Sequence, residues 1–167
     1  MKTLTIAHTL IRGYGFSMRI ALYQPDIPQN AGAVFRLGAC LKIPIDVIEP
    51  CGFVLDDRRL KRVAMDYGAQ ADIERHATWA AWKSARDGAR TVLLTTRGAI
   101  RYTEFQFESD DILLLGRESA GVPENVHESA HARLIVPMAP GARSLNVVTA
   151  AAMVIGEAMR QTGGFEQ

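Results

Sequence analysis

Short apolar runs alternate along this chain with segments whose apolar residues recur at helical spacing. Most of the runs are followed within two residues by proline or glycine, and short bounded runs of this kind favour buried strands. They lie at 19–23, 43–48, 91–95, 112–115 and 134–136. A further short strand is predicted near 72–75.

The segments between the runs predict helices. In the segment 30–41, Val34 and Leu37 belong to one apolar stripe, and Asn30 suits the N-cap. Three more helices are predicted, at 56–65, 78–87 and 144–161. The last is the longest, and Ser144 suits its N-cap. Strands and helices that alternate in this way predict an α/β fold, a mostly parallel sheet with helices on both faces.

Composition narrows the class of protein. The chain has 167 residues, of which 48% are hydrophobic and 22% charged, enough for one soluble domain with a real core. The formal net charge is only +1, so a nucleic-acid partner would need a local basic patch. Cys40 and Cys51 form no CxxC motif and are interpreted as reduced thiols of a cytoplasmic protein.

No membrane or export segment is evident in the sequence. No apolar run approaches the ~18 residues that suggest a membrane helix. Residues 1–17 carry charges and two glycines and do not resemble a signal peptide. We interpret them as an N-terminal extension, followed by one domain at 18–167.

Two glycine-bearing loops follow two of the predicted strands. The segment 116–123 follows the strand at 112–115, and the segment 137–146 follows the strand at 134–136. In α/β sheets, ligands bind beyond the carboxyl ends of strands, and glycine lets backbone approach a ligand closely. The pattern predicts a small-molecule site built by backbone loops near the C-terminus.

Three blocks together resemble the SPOUT class of RNA methyltransferases. They are Pro28-Gln29-Asn30 with Arg36, the segment from Leu115 to Pro123, and the segment from Ile135 to Met138 continued by Ser144 to Ala151. Within that class the chain is similar to the subgroup that 2′-O-methylates the wobble nucleotide of certain tRNAs. The resemblance covers about 18–161.

The resemblance implies S-adenosylmethionine as methyl donor, no metal requirement, and a C-terminal trefoil knot that forms the cofactor pocket. It also implies a homodimer with the active site near the interface, and the tRNA anticodon stem-loop as partner. A 2′-O-methyltransferase for ribosomal RNA or another tRNA position is the alternative.

The resemblance also assigns site residues. The polar active-site positions fall on Asn30, Arg36, Glu118, Ser144 and Asn146. A guanidinium is effectively always protonated, so we expect Arg36 to hold a phosphate and to stabilise charge on the 2′-oxygen rather than to act as a base. The cofactor contacts are expected at Leu94, Gly116, Glu118, Val136, Met138, Ser144 and Leu145.

Two further patterns have open interpretations. The basic run from Arg58 to Arg62 is either a solvated helix face or a phosphate-binding face. Trp79 and Trp82 lie three residues apart on one predicted helix, which favours packing or an interface over base stacking.

One motif suggests a different activity. The segment from His127 to His131 matches H-E-x-x-H, the pattern of zinc peptidases. Zinc peptidases need a longer helix and a third ligand. Pro123 and the strand near 134 leave room for a helix of only two or three turns, so a zinc peptidase is disfavoured.

Overall fold

The structure, a computed structural model, describes residues 16–55 and 71–165. Within these residues seven strands form one sheet, in the order β3-β2-β1-β6-β4-β7-β5, and every neighbouring pair is parallel. The strands are β1 (Arg19–Tyr23), β2 (Ile45–Ile48), β3 (Ile73–His76), β4 (Thr91–Leu94), β5 (Ile100–Arg101), β6 (Ile112–Leu115) and β7 (Ala132–Ile135).

Helices cover both faces of the sheet, as predicted. They are α1 (Pro28–Leu41), α2 (Trp79–Ala85), α3 (Glu124–Ser129) and α4 (Val147–Thr162), with a 3₁₀ turn at Tyr102–Glu104. Successive side chains of a strand point to opposite faces. Ile20 and Leu22 accordingly pack in one cluster with α1 and α4, whereas Ala21 and Tyr23 pack in another with α2 and α3. Among the described helices, none is long and apolar enough to cross a membrane.

Two predicted helix starts are wrong. Helix α1 begins at Pro28, with Ile27 as its N-cap, because proline is favoured in the first turn, where no N–H is required. Asn30 is therefore inside the first turn and does not cap it. Helix α4 is capped by Asn146 rather than Ser144, because the Asn146 side chain accepts hydrogen bonds from two backbone N–H groups at the start of the helix.

The predicted helix at 56–65 and its basic run lie outside the described residues. The helix predicted at 78–87 is α2, and Thr78 caps it, since its hydroxyl oxygen accepts a hydrogen bond from the Ala81 N–H. The packing interpretation of the tryptophans agrees with the geometry. Trp79 stacks on Trp82 with ring centroids 4.8 Å apart, and Trp82 is fully buried.

The buried indole of Trp82 contacts a cluster of charged side chains around Asp46. Its Nε1 donates to Asp46 at 2.9 Å, and Arg19 and Arg86 also donate to the same carboxylate. Burial alone would raise the pKa of Asp46, but hydrogen bonds from Arg86, Arg19 and Trp82 outweigh it and hold that pKa well below its usual range.

Strand β7 lies between β4 and β5, although β4 and β5 are close in the chain. Leu134 pairs with Leu94 on one side and with Ile100 on the other. The five-residue link between those strands therefore crosses β7. A Cβ on Gly98 would lie 2.8 Å from the Arg133 carbonyl oxygen, so the crossing needs glycine there.

Candidate active site

A cavity of about 890 Å³ lies at the carboxyl ends of β4, β6 and β7. Its walls are the loops after these strands, which converge because the strands are parallel neighbours. The segment from Gly116 to Val122 forms one wall, and the segment from Ile135 to Val147 forms another. The cavity is where the glycine-bearing loops of the sequence predicted a ligand site.

All the site residues named from the sequence except Arg36 line this cavity. The structure thus brings together residues from four separate segments of the chain. They are Asn30, Leu94, Gly116, Glu118, Val136, Met138, Ser144, Leu145 and Asn146.

Arg36 lies elsewhere on the surface of α1. It is six residues beyond Asn30, and at 3.6 residues per turn that separation places it on a different side of the helix. Arg36 is exposed and is not among the residues that line the cavity. The role of Arg36 towards RNA stays a prediction.

Three polar side chains form a line of hydrogen bonds at the rim of the cavity. Asn146 Oδ1 accepts from the Val148 and Thr149 N–H groups, so its amide nitrogen must point the other way. That nitrogen donates to Asn30 Oδ1 at 3.0 Å. Asn30 in turn donates from Nδ2 to Glu118 Oε1, also at 3.0 Å. Because the helix cap fixes one amide, each partner fixes the next.

The line ends at a residue that sequence reasoning missed. Asp26, in the loop between β1 and α1, accepts a hydrogen bond from the Glu118 backbone N–H at 3.2 Å and returns one from its own N–H to Glu118 Oε2. The Ser119 hydroxyl also donates to Asp26. The only local signal was an acidic residue at the carboxyl end of a buried strand.

The two carboxyl groups have opposite pKa shifts. The side-chain hydrogen bond with Glu118 is the main cause that lowers the pKa of Asp26 to about 2. Burial, followed by the hydrogen bond with Asp26, raises the pKa of Glu118. In this pair, Asp26 is the carboxylate and Glu118 is the group that holds a proton more readily.

The loop that carries Glu118 is a tight turn. Arg117 and Gly121 exchange two backbone hydrogen bonds, of 3.0 and 2.8 Å. Gly121 has a φ of +66°, a left-handed conformation that suits glycine. These two hydrogen bonds close the turn, whose residues line the cavity.

The zinc-peptidase motif does not keep its helical spacing. Helix α3 ends at Ser129, so His131 lies outside it. The His131 Nδ1 accepts a hydrogen bond from the Thr91 N–H at 3.0 Å. The two histidines therefore do not face one another across a helical turn, which removes the geometric basis of the peptidase alternative.

One group in the described residues has metal-ligand geometry, namely Asp46, Glu74 and His76. Arg19 and Arg86 already donate to the Asp46 carboxylate, at 2.6 and 2.9 Å. A metal ion there would have to approach two fixed guanidinium groups. We interpret the group as a structural ion-pair cluster.

A parallel α/β sheet with a loop-walled cavity at its carboxyl edge and an oriented polar rim is typical of α/β proteins that bind a small molecule at that edge. The comparison with known families makes the class specific. The chain belongs to the SpoU rRNA methylase family, whose model matches residues 17–156.

One relative and two solved structures illustrate the similarity. A protein of Ancylobacter novellus named tRNA (cytidine(34)-2′-O)-methyltransferase is 53% identical over 151 residues, which cover 89% of this chain and 96% of the relative. A solved structure that concerns the 2-OH methylation of C/U34 on tRNA is 40% identical, with a TM-score of 0.85 over 89% of this chain and 98% of that chain.

The more distant structure shares the fold alone. It is the SpoU methyltransferase AviRb from Streptomyces viridochromogenes in complex with the cofactor AdoMet. It is 22% identical, with a TM-score of 0.77 over 88% of this chain and 61% of that chain. The neighbours are SPOUT methyltransferases, so the α/β architecture and the family predicted from the three sequence blocks are confirmed.

Proposed function

We propose that this protein transfers a methyl group from S-adenosylmethionine to the ribose 2′-hydroxyl of nucleotide 34 in the tRNA anticodon stem-loop. The observation that carries the proposal is the 53% identity, over almost the full length of both chains, to a tRNA (cytidine(34)-2′-O)-methyltransferase. The cavity and its polar rim support the same reaction, and the two free thiols fit work in the reducing cytoplasm.

The cavity fits the proposed cofactor. Small-molecule sites measure about 300–1,000 Å³ and combine apolar walls with a few placed polar groups, and this cavity of about 890 Å³ is within that range. Leu94, Val136, Met138 and Leu145 would supply apolar contact. Gly116 would let the backbone approach the cofactor closely, and the backbone around Ser144 would form hydrogen bonds with it. Glu118 would supply a polar contact.

The cofactor supplies a methyl group that is already activated by the positive charge on its sulfur, so the proposed reaction requires no metal. The protein must align the 2′-oxygen with that methyl group and assist the loss of its proton. Asn30 and Asn146, whose amides are fixed by their partners, are suited to orient the ribose. Ser144 is exposed on the cavity wall and is suited to contact either substrate.

Arg36 is proposed to act on the RNA side. Its guanidinium would hold a phosphate next to the target ribose and stabilise negative charge that develops on the 2′-oxygen. Because it is exposed on α1 and outside the cavity lining, it can meet a phosphate without displacing cofactor.

A homodimer and a C-terminal knot belong to the same proposal. Ile27, Leu145 and Met153 are large apolar side chains that are about two-fifths exposed, and a partner chain would cover them. A Cβ on Gly156 would meet no atom within 4 Å, which leaves room for a partner helix against α4. The link between β4 and β5 crosses β7, which supports the proposal that the C-terminal segment passes through a loop and forms a knot.

The test is methylation of tRNA transcripts by the purified protein with labelled S-adenosylmethionine. We expect label at nucleotide 34 alone, located by nuclease mapping and mass spectrometry. The matched control is the same tRNA with a single 2′-deoxycytidine at position 34, which lacks the acceptor oxygen and should take up no label. Label at another nucleotide, or unlabelled tRNA when ribosomal RNA in a parallel reaction is labelled, would contradict the proposal.

A further inference from the structure

Asp26 is placed where two loops of the site meet. It follows β1, and Glu118 follows β6. These strands are parallel neighbours, with Leu22 paired to Leu115, so their loops leave the same edge of the sheet. The loop that leads into α1 is thereby brought against the loop that walls the cavity.

The contacts between the two loops are reciprocal. The Asp26 carboxylate accepts hydrogen bonds from the Glu118 N–H and from the Ser119 hydroxyl, and it lies 3.7 Å from Arg117 Nε. The Asp26 N–H returns a hydrogen bond to Glu118 Oε2 at 3.2 Å. Each loop therefore supplies both a donor and an acceptor to the other, which fixes their relative position.

Asp26 thus fixes Glu118, the last of the three hydrogen-bonded side chains at the rim. A glutamate side chain has several rotatable bonds and loses considerable conformational freedom when it is held in one place. Glu118 Oε2 is held by the Asp26 backbone, which leaves Oε1 to accept from Asn30. If the two loops separate, Glu118 can rotate away and Asn30 loses the acceptor that sets its orientation.

We infer that Asp26 is a positioning residue of the methyl-transfer site, which holds Glu118 so that Asn30 and Asn146 present fixed amide groups to the substrates. The inference rests on the proposed function and deepens it. Asp26 does not line the cavity and acts through Glu118. The lowered pKa of Asp26 supports this role, because the group remains a carboxylate and a strong acceptor.

Alanine is the appropriate substitution at position 26. The backbone of Gly52 approaches Asp26 so closely that a Cβ on Gly52 would lie 2.8 Å from the Asp26 Cβ. Alanine keeps that Cβ and removes only the carboxylate. Asp26 is also outside both hydrophobic clusters, so Asp26→Ala opens no cavity in the core.

The first experiment is a double-mutant cycle in single-turnover methylation, at saturating tRNA and cofactor. We expect Asp26→Ala to lower the rate about tenfold, and to lower it by less than about twofold further when Asn30 is already alanine, because residues of one network are not additive. Glu104→Ala is the matched control, since its ion pair with Arg101 is exposed and outside the site.

The second experiment requires no catalysis. Hydrogen exchange at the Val148 and Thr149 amides, which Asn146 caps, should become faster in Asp26→Ala and stay unchanged in Glu104→Ala. Additive rate losses with unchanged exchange would overturn the inference. If the wild-type protein fails to methylate tRNA, the proposed function is wrong. The exchange measurement then decides by itself whether Asp26 fixes the positions of Glu118, Asn30 and Asn146.

Discussion

Substitution of Asn146 separates two roles that one side chain performs. Its Oδ1 caps α4 by accepting from the Val148 and Thr149 N–H groups, and its Nδ2 donates to Asn30. Asn146→Asp keeps a capping oxygen and replaces the donor by a second acceptor. Asn146→Ala removes both.

The expected stabilities differ between the two variants. Loss of an N-cap costs about 1 kcal/mol, which lowers the melting temperature of a domain of this size by roughly 2–4 °C. Asn146→Ala should show this loss. Asn146→Asp should remain within about 0.5 kcal/mol of wild type, because aspartate caps as well as asparagine and its charge suits a helix N-terminus.

The expected activities are low for both. In Asn146→Asp a carboxylate oxygen would face Asn30 Oδ1, now 3.0 Å from the Asn146 nitrogen. If Asn30 flips to relieve this, its oxygen turns towards Glu118 instead. A misplaced active-site group can cost about 100-fold in rate, and we expect a loss of that order in Asn146→Asp.

The assays are thermal unfolding and single-turnover methylation on the same preparations. Asn125→Asp is the matched control, because Asn125 is exposed on α3 and outside the cavity lining. Wild-type turnover by Asn146→Asp would refute the argument that Asn146 must donate to Asn30 and Asn30 to Glu118. A stability loss equal to that of Asn146→Ala would refute the assignment of the cap.

Three further predictions test other parts of the structure. Arg36→Ala should retain its affinity for S-adenosylhomocysteine while single-turnover methylation falls by about 100-fold or more, and Arg36→Lys should also be poor, since lysine lacks the planar fork; collapse of cofactor affinity would contradict this. Asp46→Asn should lower the free energy of unfolding in urea by about 3 kcal/mol near neutral pH. Because the folded pKa of Asp46 is depressed, its contribution is present above about pH 4 and is lost as the pH falls through the folded pKa, so the difference from wild type should shrink in acid; a constant difference would contradict the assignment. Light scattering should give a dimer, and Met153→Glu should weaken it because a charge would enter an apolar interface; a fully active wild-type monomer would contradict a shared active site.

The strands and the class of fold could be predicted from the sequence because their signals are local. Each buried strand is a short apolar run, and alternation with helices is enough to favour a parallel sheet. Strand β5 was missed since it has only two residues, both exposed. The start of α4 was misplaced because Ser144 and Asn146 are both good caps, and only the path of the preceding loop decides between them.

The cavity residues were predicted from a resemblance, whereas their mutual geometry was not. Asp26 was missed because its role depends on the neighbouring positions of β1 and β6, which are about ninety residues apart in the chain. No periodicity reports which strands are neighbours in a sheet.

The most direct test of the central claim is mass analysis of the nucleosides of tRNA from cells with and without this protein. We predict that the 2′-O-methyl group at nucleotide 34 of a subset of tRNAs disappears without the protein and returns with the wild-type chain but not with Arg36→Ala. Unchanged methylation at nucleotide 34, with a methyl group lost from another RNA position, would contradict the account.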